Sequence, residues 1–237
     1  DFEAYTSLNE LASNAITGKT SGKWETYGGS LRNTFKTASS TLTVGADYNH
    51  DKSDGANPTA QMDESGRIFG LFAQEKYVLT PKIFLGAGVR FDDYQLTQID
   101  DSQLNQKHFS PNVKIGYAIN ENWETDLSWS QAFKGATPSQ SFLMGATKSI
   151  APNDGLKGSV AETTQWSVRF KEVPFTAGFT IYDTIIKDPI NINVNRTTGV
   201  LTRTNQSPIR SQGVNANVGY QYDTFQARLG YAHNKFR

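Results

Sequence analysis

The titratable side chains of this chain do not form a recognisable catalytic motif. The three histidines, His50, His108 and His233, lie far apart, without the HxxxH or HExxH spacing of a metalloenzyme helix. The sequence contains no Gly-x-Ser-x-Gly nucleophile elbow and no glycine-rich phosphate loop. Asp92 and Asp93 are adjacent in a segment with strand periodicity, so their carboxylates point to opposite faces. The sequence therefore predicts no catalytic residue, no metal site, no cofactor and no enzymatic activity.

Basic, aromatic and histidine side chains instead occur in long polar segments, where they could bind a ligand without altering it. Cationic groups attract anionic ligands, and they also interact with aromatic rings. The candidate binding residues are His50, His108, Lys134, Phe142, Met144, Lys148, Lys157, Arg196 and Arg203. Each also has a plainer interpretation, because surface loops carry lysine and arginine routinely, a rim histidine is usually solvated, and a loop methionine usually packs.

These polar segments alternate with tight turns in a regular rhythm. Tight turns are predicted near Thr37–Ser39, Thr80–Pro81, Asn120–Asn122, Val173–Pro174 and Asp223. Longer connections are predicted near Asp51–Ser65, Gln98–Gln106, Gly135–Val160 and Lys187–Asn205. Antiparallel strands joined in this way place every short turn at one end of the sheet and every long loop at the other. This asymmetry is typical of a transmembrane antiparallel meander β-barrel.

Between the turns, the side chains alternate with the period of two that a strand requires. Ile83, Leu85 and Val89 fall on one face of a predicted strand, and Arg90 and Asp92 fall on the other. We expect the apolar face to point outward and the polar face, with a charge ladder at Arg90, to line a lumen. The aromatic residues predicted at the borders of the outward faces are Tyr27, Trp123, Trp129, Trp166, Tyr220, Tyr222 and Tyr231.

The alternation predicts about ten strands and an open sheet. They lie near 24–37, 40–50, 67–79, 82–97, 107–119, 122–134, 161–172, 175–187, 206–222 and 224–236. In the sixth of these strands, Phe133 is predicted on the outward face. The stretch Asp1–Thr20 lacks clean alternation and is interpreted as the end of a long loop, and Arg237 falls inside a predicted strand. A complete small barrel would close its last strand on its first, so we expect part of a larger barrel.

The amino-acid composition is compatible with part of a membrane barrel, and it excludes some classes of binding partner. The 237 residues carry a formal net charge of zero, so no nucleic-acid partner is predicted. The mean hydropathy of −0.53 fits a barrel with a watery lumen, because only alternate residues face lipid. No segment approaches the roughly 20 apolar residues of a membrane helix, and cysteine is absent. A soluble β-sheet binding module stays an alternative, because soluble sandwiches also alternate.

Short strings along nearly the whole chain resemble those of TonB-dependent outer-membrane receptors in order and spacing. The strings are Thr41–Tyr48, Gly70–Glu75, Gly88–Tyr94, Phe109–Tyr117, Trp129–Phe133, Asn153–Leu156, Glu162 and Arg210–Gly213. Within that family, the segments Gly145–Asn153, Tyr182–Asp188 and Gly230–Lys235 are most similar to the iron-regulated, ferric-enterobactin-type receptors (FetA/FrpB).

This resemblance implies a 22-stranded barrel that encloses an N-terminal plug. Residues 1–237 would form the middle-to-late part of that barrel, and the plug would be absent from this segment. The implied function is import of a ferric siderophore, catecholate-like, across the bacterial outer membrane. The implied partners are the siderophore, the membrane lipid, and TonB acting through the plug.

Two functional alternatives stay open at this point. A haem or metal-ion receptor of the same fold is the first; haem receptors of this family carry a histidine between a Phe-Arg-Ala-Pro and an Asn-Pro-Asn-Leu motif. The corresponding segments here, Phe133–Pro138 and Asn153–Leu156, have no histidine between them, which favours a siderophore. An outer-membrane barrel enzyme is the second, and it would require clustered Asp and His residues at the rim.

Overall fold

In the part of the chain that the structure describes, the only regular element is the β-strand. The computed structural model describes residues 2–15, 18–57, 60–61, 63–138, 150–198 and 200–237. The strands are β1 (Phe2–Ala15), β2 (Gly18–Lys36), β3 (Ser40–Asn57), β4 (Ala60–Gln61), β5 (Glu64–Val78), β6 (Ile83–Thr97), β7 (Gln103–Ala118), β8 (Trp123–Lys134), β9 (Ile150–Ala151), β10 (Ser159–Glu172), β11 (Phe175–Lys187), β12 (Ile190–Val194), β13 (Leu201–Asn205), β14 (Ile209–Tyr222) and β15 (Phe225–Phe236). The described residues include no helix long and apolar enough to cross a membrane.

Eleven long strands form one antiparallel meander in the order β1-β2-β3-β5-β6-β7-β8-β10-β11-β14-β15, with β4 beside β3. The ten predicted strands are all present, and the tight turns fall where the sequence places them. Among the described residues β1 pairs only with β2 and β15 only with β14, so the sheet is open. A second sheet, β12-β13-β9, includes a two-residue parallel pairing of β13 with β9.

The prediction that Asp1–Thr20 is a loop is wrong, because this stretch contains β1. The strand pairs with β2 from Phe2↔Leu31 to Ala15↔Gly18. Its stability therefore comes from the backbone hydrogen bonds of the hairpin, which do not require alternating side chains. A search for hydrophobic periodicity does not detect a strand of this kind.

The two faces of the sheet follow the predicted alternation. Leu85 and Val89 are 37% and 44% exposed on what we call the outer face. Asp92, with Arg90, lies on the opposite or inner face and is 2% exposed. Phe133 is an exception, since it was predicted to point outward but packs with the buried residues of the inner face.

Phe133 can turn inward because the pairing between β7 and β8 ends before it. Pairing between β7 and β8 stops at Asn112↔Ser130, and the next residue of β7, Pro111, has no N–H to donate. Beyond that point β8 pairs only with β10. Phe133 then reaches the ring of Tyr94, with the two centroids 6.1 Å apart.

Aromatic rings border the outer face at both ends. At the short-turn end, Trp123 lies 4.9 Å from Phe170, measured between ring centroids. At the long-loop end, Phe91 lies 5.0 Å from Phe109. Val89, Val113, Ile115 and Leu127 are among the exposed apolar side chains of the strands between them. This arrangement matches the apolar band and interfacial aromatic girdles of a membrane barrel.

Large side chains on the inner face lie across glycines of neighbouring strands. The ring of Phe84 covers Gly116, and the ring of Phe72 covers Gly45. A Cβ at either glycine would overlap the ring. These glycines are therefore required for close approach, and they allow aromatic rings to lie flat against the wall.

We expect Gly116→Ala to destabilise the sheet, because the new methyl group would displace the Phe84 ring. Overpacking of this kind costs about 1–3 kcal/mol. The change is measured as a lower denaturation midpoint of the full-length protein in detergent. Gly230→Ala is the matched control, because its nearest neighbour would be a backbone oxygen at 4.0 Å. Equal midpoints for the two variants would contradict this packing argument.

Candidate functional site

The long-loop end of the inner face is covered by three segments that we call the loop platform: residues 135–138, 150–158, and 188–206 without residue 199. A hydrophobic cluster joins the platform to the strands, and its buried members are Tyr94, Leu96, Leu104, Ala136 and Leu156. Pro138 lies against Gly66, and the hydroxyl of Tyr94 donates to the carbonyl oxygen of Ala136. The main apolar core of the described chain therefore lies beneath its loops.

A buried ion pair joins the platform to the strand wall. Arg203 on β13 donates two hydrogen bonds to the carboxylate of Glu64 at the start of β5, at 2.7 and 2.6 Å. Arg203 is 1% exposed and Glu64 3% exposed. The guanidinium also donates to the carbonyl oxygen of Thr137 at 3.3 Å. This geometry is bidentate, the form in which a buried pair best offsets its desolvation cost.

Side-chain amides of the wall bind the backbone of the platform. The Gln106 amide donates to the Leu156 carbonyl at 2.8 Å and accepts from the Gly158 N–H at 2.7 Å. Gln98 accepts from the Asn153 N–H at 2.8 Å. Each contact satisfies a backbone group that has no strand partner, and buried groups of this kind require one.

Amides within the platform connect its segments to one another. Asn205 accepts from the Lys157 N–H at 2.8 Å and donates to the carbonyls of Lys157 and Asp188 at 2.8 and 2.9 Å. Asn153 donates to the Arg203 carbonyl at 2.7 Å. The backbone of Lys157 is thus held from both sides while its side chain is exposed to solvent.

A row of polar side chains crosses four strands next to the platform. His108 contacts Gln131 at 3.2 Å, and Gln131 donates to Glu162 at 3.0 Å. Lys187 donates to the same carboxylate at 2.7 Å. The imidazole of His108 also stacks on Phe133, with centroids 5.1 Å apart. His108 is therefore oriented by two neighbours on the inner face.

The inner face carries the predicted charge ladder further along the strands. Arg90 donates to both carboxylate oxygens of Asp47, at 2.6 and 2.8 Å, and to Asp92 at 2.7 Å. A second group centres on Asp126, which lies 3.0 Å from the Lys114 ammonium and 2.5 Å from the Arg169 guanidinium. Neither contact to Asp126 has hydrogen-bond geometry, so the attraction there is between charges.

The structure brings several predicted binding residues to the platform. Lys134, at the end of β8, pairs with Ser159 and is exposed. Lys157 and Arg196 are also exposed, with Arg196 in the turn between β12 and β13. His108 lies at the edge of the same region and is half-buried. Phe142, Met144 and Lys148 lie outside the described residues.

The two other candidates occupy different surroundings. His50 lies on the outer face, where it stacks on Tyr27 with ring centroids 4.7 Å apart. Arg203 is buried and bound to Glu64, so its guanidinium faces protein and not solvent. Among the described residues, no three His, Asp or Glu side chains gather in a way that could hold a metal ion.

The residues that hold the platform were not found from the sequence. Glu64, Gln98, Gln106 and Asn205 are polar residues at strand ends or in loops, where polar residues are ordinary. Their partners are distant in the chain; Glu64 and Arg203 are separated by 139 positions. No local motif marks such a pair, so only the folded chain reveals it.

Comparison with known proteins assigns the whole chain to one family. Residues 2–237 match the family model described as "TonB dependent receptor-like, beta-barrel". The chain is 23% identical over 195 residues to the heme transporter BhuA of Brucella ovis, covering 78% of the chain and 30% of that relative. It is also 23% identical over 180 residues to the ferric enterobactin receptor of Pseudomonas aeruginosa, covering 63% of the chain and 23% of the relative.

A solved structure supports the same fold. The FrpB iron transporter from Neisseria meningitidis (F3-3 variant) superimposes on the full chain with a TM-score of 0.85 at 18% identity, and the match covers 40% of that protein. The chain thus spans well under half the length of each of these three proteins.

We expect Glu64→Gln to loosen the platform, because it leaves the buried Arg203 without its carboxylate. Breaking a buried pair costs about 3–5 kcal/mol, so brief opening of β13 should become about two to four orders of magnitude more frequent. Trypsin digestion of the full-length receptor measures this opening as cleavage after Arg203. Asp183→Asn is the control, since it breaks the exposed Arg210–Asp183 pair; equal cleavage in both variants would contradict the assigned role.

Proposed function

The chain belongs to the TonB-dependent receptor-like β-barrel family, and we propose that it is part of a receptor importing a ferric siderophore of the catecholate type. The family lies in the bacterial outer membrane and consists of receptors, which sets aside the enzyme and the soluble module. We place the ligand on the loop platform, at the end that faces outside the cell.

The observation that carries this proposal is a set of exposed cations on a firmly held backbone. Lys134 and Lys157 adjoin the β8–β10 pairing, and Arg196 extends from the β12–β13 turn. A ferric tris-catecholate complex is anionic and aromatic, so it suits cationic side chains. Because Asn205 and Gln106 hold the backbone near Lys157, little conformational entropy is lost when the ligand binds.

Import of this kind needs no covalent chemistry. The loops would capture the complex, and rim charges would raise its local concentration by long-range attraction. The plug, energised through TonB, would then release the complex into the periplasm. The inner-face charges at Arg90 and Asp126 would border the path that the plug occupies.

A haem receptor is the second candidate. The similarity to a heme transporter and the position of His108 support it. His108 lies on the inner face, where its imidazole stacks on Phe133 and could ligate the iron of a porphyrin. The absence of histidine between Pro138 and Asn153 in the sequence favours the siderophore.

Replacing Lys134, Lys148 and Lys157 with glutamine in the full-length receptor should weaken binding of ferric enterobactin by about tenfold at low ionic strength. Exposed charge contacts contribute about 0.2–1 kcal/mol each. The loss should shrink at high salt, because ions screen the attraction. A fluorescence titration at two salt concentrations measures both effects. A matched triple change of Lys36, Lys82 and Lys171, at the short-turn end, should have no effect.

Haemin titration separates the two candidates. We expect the wild-type receptor to bind ferric enterobactin more tightly than haemin, and His108→Ala to leave siderophore binding within about twofold. Tight haemin binding with a Soret shift that His108→Ala abolishes, and no siderophore binding, would overturn the siderophore proposal. That result would leave the family assignment intact.

A further inference from the structure

The outer face carries an apolar groove that ligand import does not use. The groove crosses β2 to β7 and has a volume of about 500 Å³, within the range of sites that bind small molecules. Its floor consists of small residues, Gly45, Ala46 and Ala73. The rings of Phe91 and Phe109 form one side.

Strand pairing explains why this hollow forms. Leu31, Ala46, Leu71 and Phe91 lie side by side in one row of the outer face. Large residues at both ends of the row and an alanine between them leave a depression. Asn33 lies in the same lining, and its amide forms no hydrogen bond with the described residues. A polar group in an apolar groove is suited to a partner that is mostly hydrocarbon but carries ester or amide groups.

Basic residues lie above the groove, toward the long loops. Arg67 is four residues from Leu71 on β5, which places it about 13 Å further along the strand. Its side chain is exposed and forms no salt bridge within the described part of the chain. Lys107, on the same face, has a side chain that is 70% exposed. Its ammonium nitrogen lies 3.5 Å from a carboxylate oxygen of Asp93, which is a long distance for an ion pair. The charges therefore lie beyond the aromatic border, at the level of lipid headgroups.

We propose that this groove binds lipid A of the outer leaflet, with one acyl chain in the groove and a phosphate at Arg67. The long-loop end of a barrel faces the outside of the cell, so the adjoining leaflet is the external one. Lipid A combines the features that the surface selects: phosphate groups, ester and amide linkages, and several acyl chains. The groove opens toward hydrocarbon, so its ligand arrives through the membrane.

The proposal depends on the barrel lying in the outer membrane, and it does not depend on which ligand is imported. Every side chain involved is on the outer face, whereas the loop platform covers the inner face. Loss of lipid binding with normal siderophore binding would therefore affect this proposal alone.

The test uses the full-length receptor, purified in detergent and analysed by native mass spectrometry with added lipid A or phosphatidylglycerol. We expect lipid A to be retained more strongly than phosphatidylglycerol. Arg67→Gln should weaken lipid A binding by about fivefold, as expected for one basic residue near an anionic lipid. Ala73→Phe, which fills the floor of the groove, should reduce it at least as much.

Two matched variants control for unspecific effects. Lys235→Gln removes an outward cation at the long-loop end of β15, and Ala177→Phe adds an outward ring on β11. Both should leave lipid A binding unchanged, and the denaturation midpoint in detergent should verify that all four variants are folded. Equal losses in test and control variants, or equal retention of the two lipids, would overturn the proposal.

Discussion

Every backbone N–H and C=O of a strand within a bilayer must find a partner on another strand, because hydrocarbon offers none. The antiparallel pairing of neighbouring strands from β1 to β15 largely meets this requirement between the edges of the sheet. Because the strands are paired in one sheet, alternate side chains point to its opposite faces and therefore lie in different environments. Leu85 and Val89 become exposed on the outer face, and Asp92 becomes buried on the inner one. The position of β1 follows from the same requirement, although its side chains alternate poorly.

The inner face is organised by polar contacts and close approach. Glycines such as Gly116 allow rings to lie against the wall, and Arg90 is shared between two carboxylates. The loops then fold onto this wall through one buried ion pair, Arg203–Glu64, and a set of amides. These contacts fix the backbone of the loop platform, so that its exposed cations are attached to a rigid support. Such support lowers the entropy cost of binding.

The two faces of the sheet differ in chemistry, and we propose a separate function for each. The inner face and the loop platform provide charged and polar groups, which would border the route of the solute that we propose is imported. The outer face provides apolar area, aromatic borders and, between β2 and β7, a groove. Above the groove lies Arg67, which forms no salt bridge with the described residues. Residues next to each other in sequence, such as Asp92 and Asp93, therefore serve different environments.

The sequence alone determined the strand class, ten of the long strands, the positions of the tight turns and the outward direction of the Leu85 face. These features depend on local periodicity and turn chemistry, which any short window contains. Only the tertiary structure decided that Phe133 turns inward, that Asp1–Thr20 contains a strand, and that Arg203 is buried against Glu64. Those outcomes depend on partners far away in the chain, and a pairing across 139 positions leaves no local pattern.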